Sequence, residues 1–215
     1  MKYYCLKCNQ WICEVCKQNS FHLRFIYNVI FNSYCQYHYQ KHFKVIIHYW
    51  RQNIVTLIDP ITKIKKSITL NKSINNNSDS ILVGNGIFIN GGYPASSETH
   101  QVDFKNNTLI EKKSIRTPKY AHSLCNANDY IYSIGGYNDS TSMSDCEQYS
   151  ITQNVWKDLP NLQTSRYACA SFVLTHIYCL CGFNAKIKCL NSMEKLRVKD
   201  GKWEYVKVLN MLALS

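Results

Sequence analysis

Along this 215-residue chain, short apolar runs stop at glycine, a polar loop follows, and two further short stretches mixing apolar and polar residues come after it. The clearest unit is residues 131–166, IYSIGGYNDSTSMSDCEQYSITQNVWKDLPNLQTSR. An apolar run enters Gly135-Gly136, and then come Tyr149, Trp156 after six intervening residues, Leu159-Pro160 and Arg166. The same order of residue types returns on both sides. Upstream, GIFINGG ends in Gly91-Gly92, 44 residues before Gly135-Gly136. Downstream, IYCLCG ends at Gly182, 46 residues after Gly136, with Cys181 in place of the first glycine and Trp203 in the slot of Trp156. Self-similarity at a nearly constant period determines architecture before any local reading is made.

Tyr130 to Ile134 and Ile177 to Cys181 are rich in β-branched and aromatic residues and end at glycine. Such runs predict strands that stop where the backbone needs positive φ or close approach. Each copy is expected to be a four-stranded antiparallel sheet. In the last copy the strands are predicted near Ala170 to Leu174, Ile177 to Cys181, Leu190 to Val198 and Lys202 to Val208, with tight turns at Thr175-His176 and Asp200-Gly201. One such sheet cannot bury both of its faces, so the copies must stack, with Trp156 and Trp203 filling the space between neighbours. Burying each indole is worth about 2–3 kcal/mol relative to exposure.

The paired glycines, the Tyr149–Trp156 spacing and Arg166 resemble the kelch repeat, which forms the blades of a β-propeller. The match is closest over residues 130–174. In the copy at 83–122, Val102 and Leu109 take the Tyr and Trp slots and Lys119 replaces the arginine; in the last copy Leu196 stands for the tyrosine. An earlier half-copy, IVTLIDPITKIKKSI, places Leu57 and Ile64 seven apart, like Tyr149 and Trp156. The resemblance implies an all-β fold of about three and a half kelch-type blades within residues 43–215: a half-blade at 54–70 and blades at about 80–122, 123–168 and 169–211. Closed propellers carry about four to eight blades. The ring is therefore expected to be incomplete: a fragment, an open array, or a ring completed by a second chain. The half-blade is expected to contribute only its third and fourth strands.

Residues 1–42 form a second region. YCLKCNQWICEVCKQNSFH sets Cys5, Cys8, Cys13 and Cys16 in two C-x-x-C pairs with His22 behind them. Pairs at this spacing put two thiolates on one turn, aimed at a common ion, and zinc accepts them readily. The segment resembles the latter half of a B-box zinc finger. By that resemblance Cys5, Cys8 and His22 share one zinc, and Cys13 and Cys16 serve another. Cys35, His38 and His42 follow and offer further ligands for a rearranged two-zinc finger. Other readings stand beside these: a relic finger with one site lost, a disulfide or iron–sulfur arrangement, and an ordinary aromatic-rich linker for Cys35, His38 and His42. Structural zinc supplies about 10–16 kcal/mol of folding free energy, which so small a segment needs.

Composition then narrows the setting. Eleven cysteines would mark a disulfide framework in a secreted chain. Here, however, five have metal spacing, and Cys125, Cys146, Cys169, Cys179, Cys181 and Cys189 mostly fall in strand patterns, where free cysteine acts as a small apolar residue. No signal peptide or membrane-spanning run is visible, so the expected location is intracellular and cytoplasmic. The net charge of +11 is spread through turns such as Lys63, Lys65, Lys66, Lys112 and Lys113, which reads as a solvated face rather than a nucleic-acid surface. Neither an aromatic stacking platform nor a recognition helix is evident.

Binding in such arrays is expected on the loops that follow the glycines: Tyr93 to Glu98, Tyr137 to Ser144 and Phe183 to Lys186. Candidate partner-binding residues are Tyr137, Asn138 and Asp139, with Arg116, Lys119 and Arg166 in the turns between blades. Arg166 belongs to the repeat signature and reads first as a structural brace, with ligand contact as the alternative. If these groups line a pocket, an acidic peptide is the natural partner. No nucleophile elbow, phosphate-cradling loop or acid–base pair appears, so no enzyme is expected. The resemblance implies a zinc-binding interaction module, either a ubiquitin-ligase adaptor or an actin-associated scaffold. A basic nucleic-acid binder is the remaining class, and its affinity would fall steeply with salt.

Overall fold

The computed structural model describes residues 3–5, 10–12, 45–48, 53–59, 63–83 and 86–206. Among these the chain is all β apart from one 3-10 turn, Val198–Asp200. Strands β1 (Tyr3–Cys5) and β2 (Gln10–Ile12) form an antiparallel hairpin with Cys5 opposite Gln10. The other predicted zinc ligands, Cys8, Cys13, Cys16, His22, Cys35, His38 and His42, lie outside the described residues.

Four sheets follow. The first joins β3 (Val45–His48), β4 (Ile54–Ile58) and β5 (Lys65–Thr69). The second joins β6 (Asp79–Val83), β7 (Gly86–Asn90), β8 (Thr99–Asp103) and β9 (Thr108–Lys112). In the third, β10 (Ser123–Ala127), β11 (Tyr130–Ile134), β12 (Cys146–Ser150) and β13 (Val155–Leu159) are paired in chain order. The fourth pairs β14 (Ala170–Val173), β15 (Ile177–Leu180), β18 (Met193–Leu196) and β19 (Trp203–Val206), with a small hairpin of β16 (Phe183–Asn184) and β17 (Lys188–Cys189) inserted after β15. All pairings are antiparallel, and contacts run from β3 to β6, from β6 to β10 and from β10 to β14. The described residues thus form a row of successive sheets, as expected for blades.

The predicted slots are equivalent positions in these sheets. Tyr149 faces Trp156, Val102 faces Leu109 and Leu196 faces Trp203 across their outer hairpins. Both indoles bridge sheets: Trp156 donates its ring N–H to the Lys113 carbonyl at 2.9 Å, and Trp203 donates to Pro160 at 2.8 Å. Tyr149 donates its hydroxyl to Asn154 Oδ1 at 2.7 Å, and Asn154 sits at φ 54, a left-handed turn position that asparagine tolerates.

Two expectations are corrected. The first sheet is more than a half-blade, because β3 adds a strand to the two predicted. Its slots are also shifted by one residue. Ile58 faces Lys65, whereas Leu57 faces Lys66, and Ile64 precedes β5 with two thirds of its surface exposed. A slip of one residue turns every side chain to the other face. So Val55 and Ile68, opposite one another, carry this sheet's share of the core toward the second sheet. In the fourth sheet the predicted strand Leu190 to Val198 is shorter, beginning only at Met193 after the β16–β17 hairpin.

Three clusters fill the gaps between sheets. Val55, Ile68, Leu82, Ile87 and Val102 join the first to the second. Ile81, Phe88, Leu124, Ile131, Tyr149 and Trp156 join the second to the third. Cys125, Tyr132, Ile134, Cys146, Cys179, Leu196 and Trp203 join the third to the fourth. Cys125, Cys146, Cys169 and Cys179 are buried free thiols, in keeping with their expected role as small apolar residues. Burial pushes the thiols of Cys125 and Cys146 up to about 12, which keeps them protonated and unreactive.

Candidate functional site

The glycine turns bring the strand ends of adjacent sheets into backbone contact. Gly135 sits at φ 62, and a Cβ there would lie 2.4 Å from the Arg166 carbonyl oxygen. Gly136 donates its N–H to that carbonyl at 2.8 Å, as Gly92 does to Lys119 at 3.0 Å. Cys181, at φ 55, takes the first glycine's conformation in the fourth sheet. A second seam runs alongside. Ala168 donates to the Ala121 carbonyl at 2.7 Å and Ala121 to Asn77 at 2.9 Å, all three at positive φ.

On this seam the second, third and fourth sheets each offer two side-chain slots, one after Asn75, Lys119 or Arg166 and one after the glycine turn. They hold Asn76 and Tyr93 in the second sheet, Tyr120 and Tyr137 in the third, and Tyr167 and Phe183 in the fourth. Tyr120 and Tyr137 exchange both backbone hydrogen bonds, as do Tyr167 and Phe183. The five aromatic rings make one ladder, Tyr93–Tyr120–Tyr137–Tyr167–Phe183, with centroids 5.2, 5.7, 5.0 and 6.0 Å apart. The end rings, Tyr93 and Phe183, are 46% and 42% exposed, while the middle three are half-buried. Partial burial, then the nearby Asp139 carboxylate, holds the Tyr120 phenol above its ordinary pKa.

The loops around the ladder are organised by their own side chains. Asn138 Oδ1 accepts the N–H groups of Ser140 and Thr141, and Asp139 accepts the Ala95 N–H at 3.0 Å across two sheets. The Tyr137 hydroxyl donates to the Ser140 carbonyl. Asn184 accepts from Lys186 and Ile187 and donates to Ser165, leaving Lys186, Ile187 and Lys188 exposed beside Phe183.

Of the predicted partner-binding residues, Tyr137, Asn138 and Asp139 lie on this face. Lys119 and Arg166 do not line it, because both are fully buried as braces. Lys119 pairs with Glu147 at 3.6 Å, and Arg166 pairs with Glu194 at 2.6 Å while donating to the carbonyls of Thr164, Cys181 and Ser192. Arg116 stays exposed but pairs with Asp158, and its backbone N–H is held by Glu147. The platform missed by sequence reasoning is the ladder itself. Its only signal was an aromatic residue repeated after Lys119 and Arg166, and again after the glycine turns, at separations that hide contiguity.

The family model for the Kelch motif matches residues 118–163, which cover the third sheet and its lead-in. Over 90 residues the chain is 31% identical to the "Kelch repeat and BTB domain-containing protein 2" of horsepox virus, and 30% identical to that of cowpox virus strain GRI-90. The ectromelia virus protein of the same description is 29% identical over 90 residues. These stretches cover 40% of this chain and 16% of the relatives, so the chain matches about a sixth of their length. Four-stranded sheets, glycine turns and a tryptophan bridging two sheets recur outside the matched segment as well. Among the described residues, no helix is long and apolar enough to cross a membrane.

Proposed function

We propose that this kelch-repeat chain is a protein-interaction module that holds a linear segment of a partner protein across the aromatic ladder. The observation that carries the reading is the ladder. Five rings from separate loops become contiguous on backbone that is already paired, so the surface is rigid before any ligand arrives. Rigid aromatic surface binds at low conformational cost, and full burial of one such side chain contributes about 1.5–3 kcal/mol. With Lys119 and Arg166 spent on braces, Lys186 and Lys188 are the exposed cations beside Phe183. They favour a partner with acidic residues at that end.

The viral relatives combine, by name, kelch repeats with a BTB domain. That pairing supports an adaptor in which this array recognises the partner, with ubiquitin-ligase substrate recognition as its specific form. The N-terminal cysteine pairs are then a zinc-held recruiting or structural element. Metal analysis of the reduced chain is expected to find one zinc for a half-finger on Cys5 to His22, or two if Cys35, His38 and His42 also bind. Absence of zinc, with chelator leaving the fold unchanged, removes the finger.

The docking reading is tested by affinity capture with mass spectrometry, comparing the natural chain with a Tyr120→Ala/Tyr167→Ala variant of unchanged fold. Partners lost with the ladder support it; identical partner sets overturn it. Ladder-dependent co-sedimentation with actin filaments would move the assignment to a cytoskeletal scaffold.

A further inference from the structure

Resting on that docking reading, we propose that the ladder's ligand is a proline-rich segment in polyproline II conformation, with an acidic flank beside Lys186 and Lys188. The argument starts from what the surface withholds. The backbones of Tyr120, Tyr137, Tyr167 and Phe183 already exchange hydrogen bonds, so no sheet edge is open there for an added β-strand. Recognition has to come through ring faces and hydroxyls.

Ring geometry then selects among ligands. Three neighbouring pairs meet at interplanar angles of 79°, 57° and 69°, so successive rings alternate face and edge and leave notches between them. A nucleic-acid base needs about 7 Å between flanking rings to stack on both. The ladder's spacing of 5.0–6.0 Å excludes insertion. A polyproline II helix advances about 9 Å per three-residue turn, somewhat short of the end-to-end span of two ladder steps. Every third ligand residue can still meet an equivalent notch. Such a ligand has no internal hydrogen bonds, so its carbonyls need donors. The hydroxyls of Tyr93, Tyr120 and Tyr167 donate to no protein group among the described residues and can supply them.

Charge sets the direction. At the Phe183 end, Lys186 and Lys188 are exposed and form no ion pair among the described residues. Toward the other end the charge near Tyr120 is Asp139, already accepting the Ala95 N–H. An acidic flank thus gains at one end only.

The test is selection from a random peptide library on the full chain, counter-selected on Tyr120→Ala/Tyr167→Ala, with affinities of the enriched peptides measured by fluorescence anisotropy. Expected winners carry prolines at three-residue intervals and an acidic flank. They should lose about tenfold in affinity when those prolines become glycine, and about threefold on Lys186→Glu/Lys188→Glu. Tyr120→Phe, which keeps the ring, should cost about threefold. Ladder-dependent winners without proline overturn this inference and leave docking intact. If no peptide depends on the ladder, both fail. Ladder-dependent displacement of the winners by an oligo-dT strand, steep in salt, overturns it in favour of nucleic acid.

Discussion

The interface between the second and third sheets and the one between the third and fourth are built to one plan, yet they differ in how completely their polar groups are satisfied. In the second, Arg166 spreads its guanidinium over Glu194 Oε1, three carbonyls and the Ser192 hydroxyl, while Glu194 also accepts the N–H groups of Gln163 and Thr164. In the first, Lys119 in the equivalent position reaches Glu147 at 3.6 Å and the Asp145 carbonyl at 3.4 Å. Among the described residues, the buried side-chain atoms without a partner are Asn90 Oδ1, Ser133 Oγ and both ring nitrogens of His122. All face this first interface. Ser133 lies between Tyr132 and Ile134, which point to the fourth sheet, and His122 lies two residues before Leu124, which points to the second. A planar fork of fixed donors satisfies a buried site that a point charge on a flexible stem cannot. The arginine interface should therefore be the stiffer of the two, and the lysine interface the more sensitive to acid.

Breaking the braces gives the largest contrast. Arg166→Met should cost about 3–5 kcal/mol, because it strands Glu194 in the interior; Lys119→Met strands Glu147 as well but gives up a longer contact, 3.6 Å against 2.6 Å, and should fall at the lower end of that range. Urea denaturation midpoints measure both, and equal losses would erase the distinction.

Acid provides the next. Burial, reinforced by the Lys119 charge, holds His122 neutral, with its pKa pushed down to about 3 from 6.5. The unfolded chain binds this proton below about 6.5 while the folded chain refuses it, so stability falls as pH drops through that window. Going from pH 7 to pH 5 should remove about 2 kcal/mol. His122→Ser, taking the residue at the equivalent position Ser78 in the second sheet, should remove that share of the slope. An unchanged slope in the variant places the acid sensitivity elsewhere.

The indoles sharpen the comparison by their sameness. Trp156→Phe and Trp203→Phe each leave a carbonyl without its donor and should cost about 1–2 kcal/mol alike, read from thermal melts. Smallest is Arg116→Ala, which removes an exposed pair with Asp158. Its effect should stay within about 0.5–1 kcal/mol and fade in salt.

Much of the fold was legible because a repeat writes the same physics several times. Gly135-Gly136 and Gly91-Gly92 mark backbone approaches that a Cβ would block, and Tyr149, Trp156, Leu196 and Trp203 announce the hairpins they face across. Where the sequence carried one degraded copy, spacing alone misled. Leu57 and Ile64 are seven apart, but so are Ile58 and Lys65, and only pairing with β5 showed which set shares the slots. The candidate site was legible in its loops and not in its surface. Tyr137, Asn138 and Asp139 lie on the ladder face, whereas Lys119 was expected in a loop turn and is instead buried against Glu147, as Arg166 is against Glu194.

What the sequence determined by itself is therefore local and periodic: strand runs, glycine turns, the slots for large aromatics, and the number of sheets they imply. Tertiary structure alone decided which side chains meet across sheets. It buried Lys119 and Arg166 as braces, and left both ring nitrogens of His122 without a hydrogen-bond partner among the described residues. It also gathered Tyr93, Tyr120, Tyr137, Tyr167 and Phe183, spread over 90 residues, into one ladder. The physical reason is that strand propensity and turn chemistry act over a few residues, whereas burial, charge pairing and ring contact depend on which neighbour the stacking of sheets delivers.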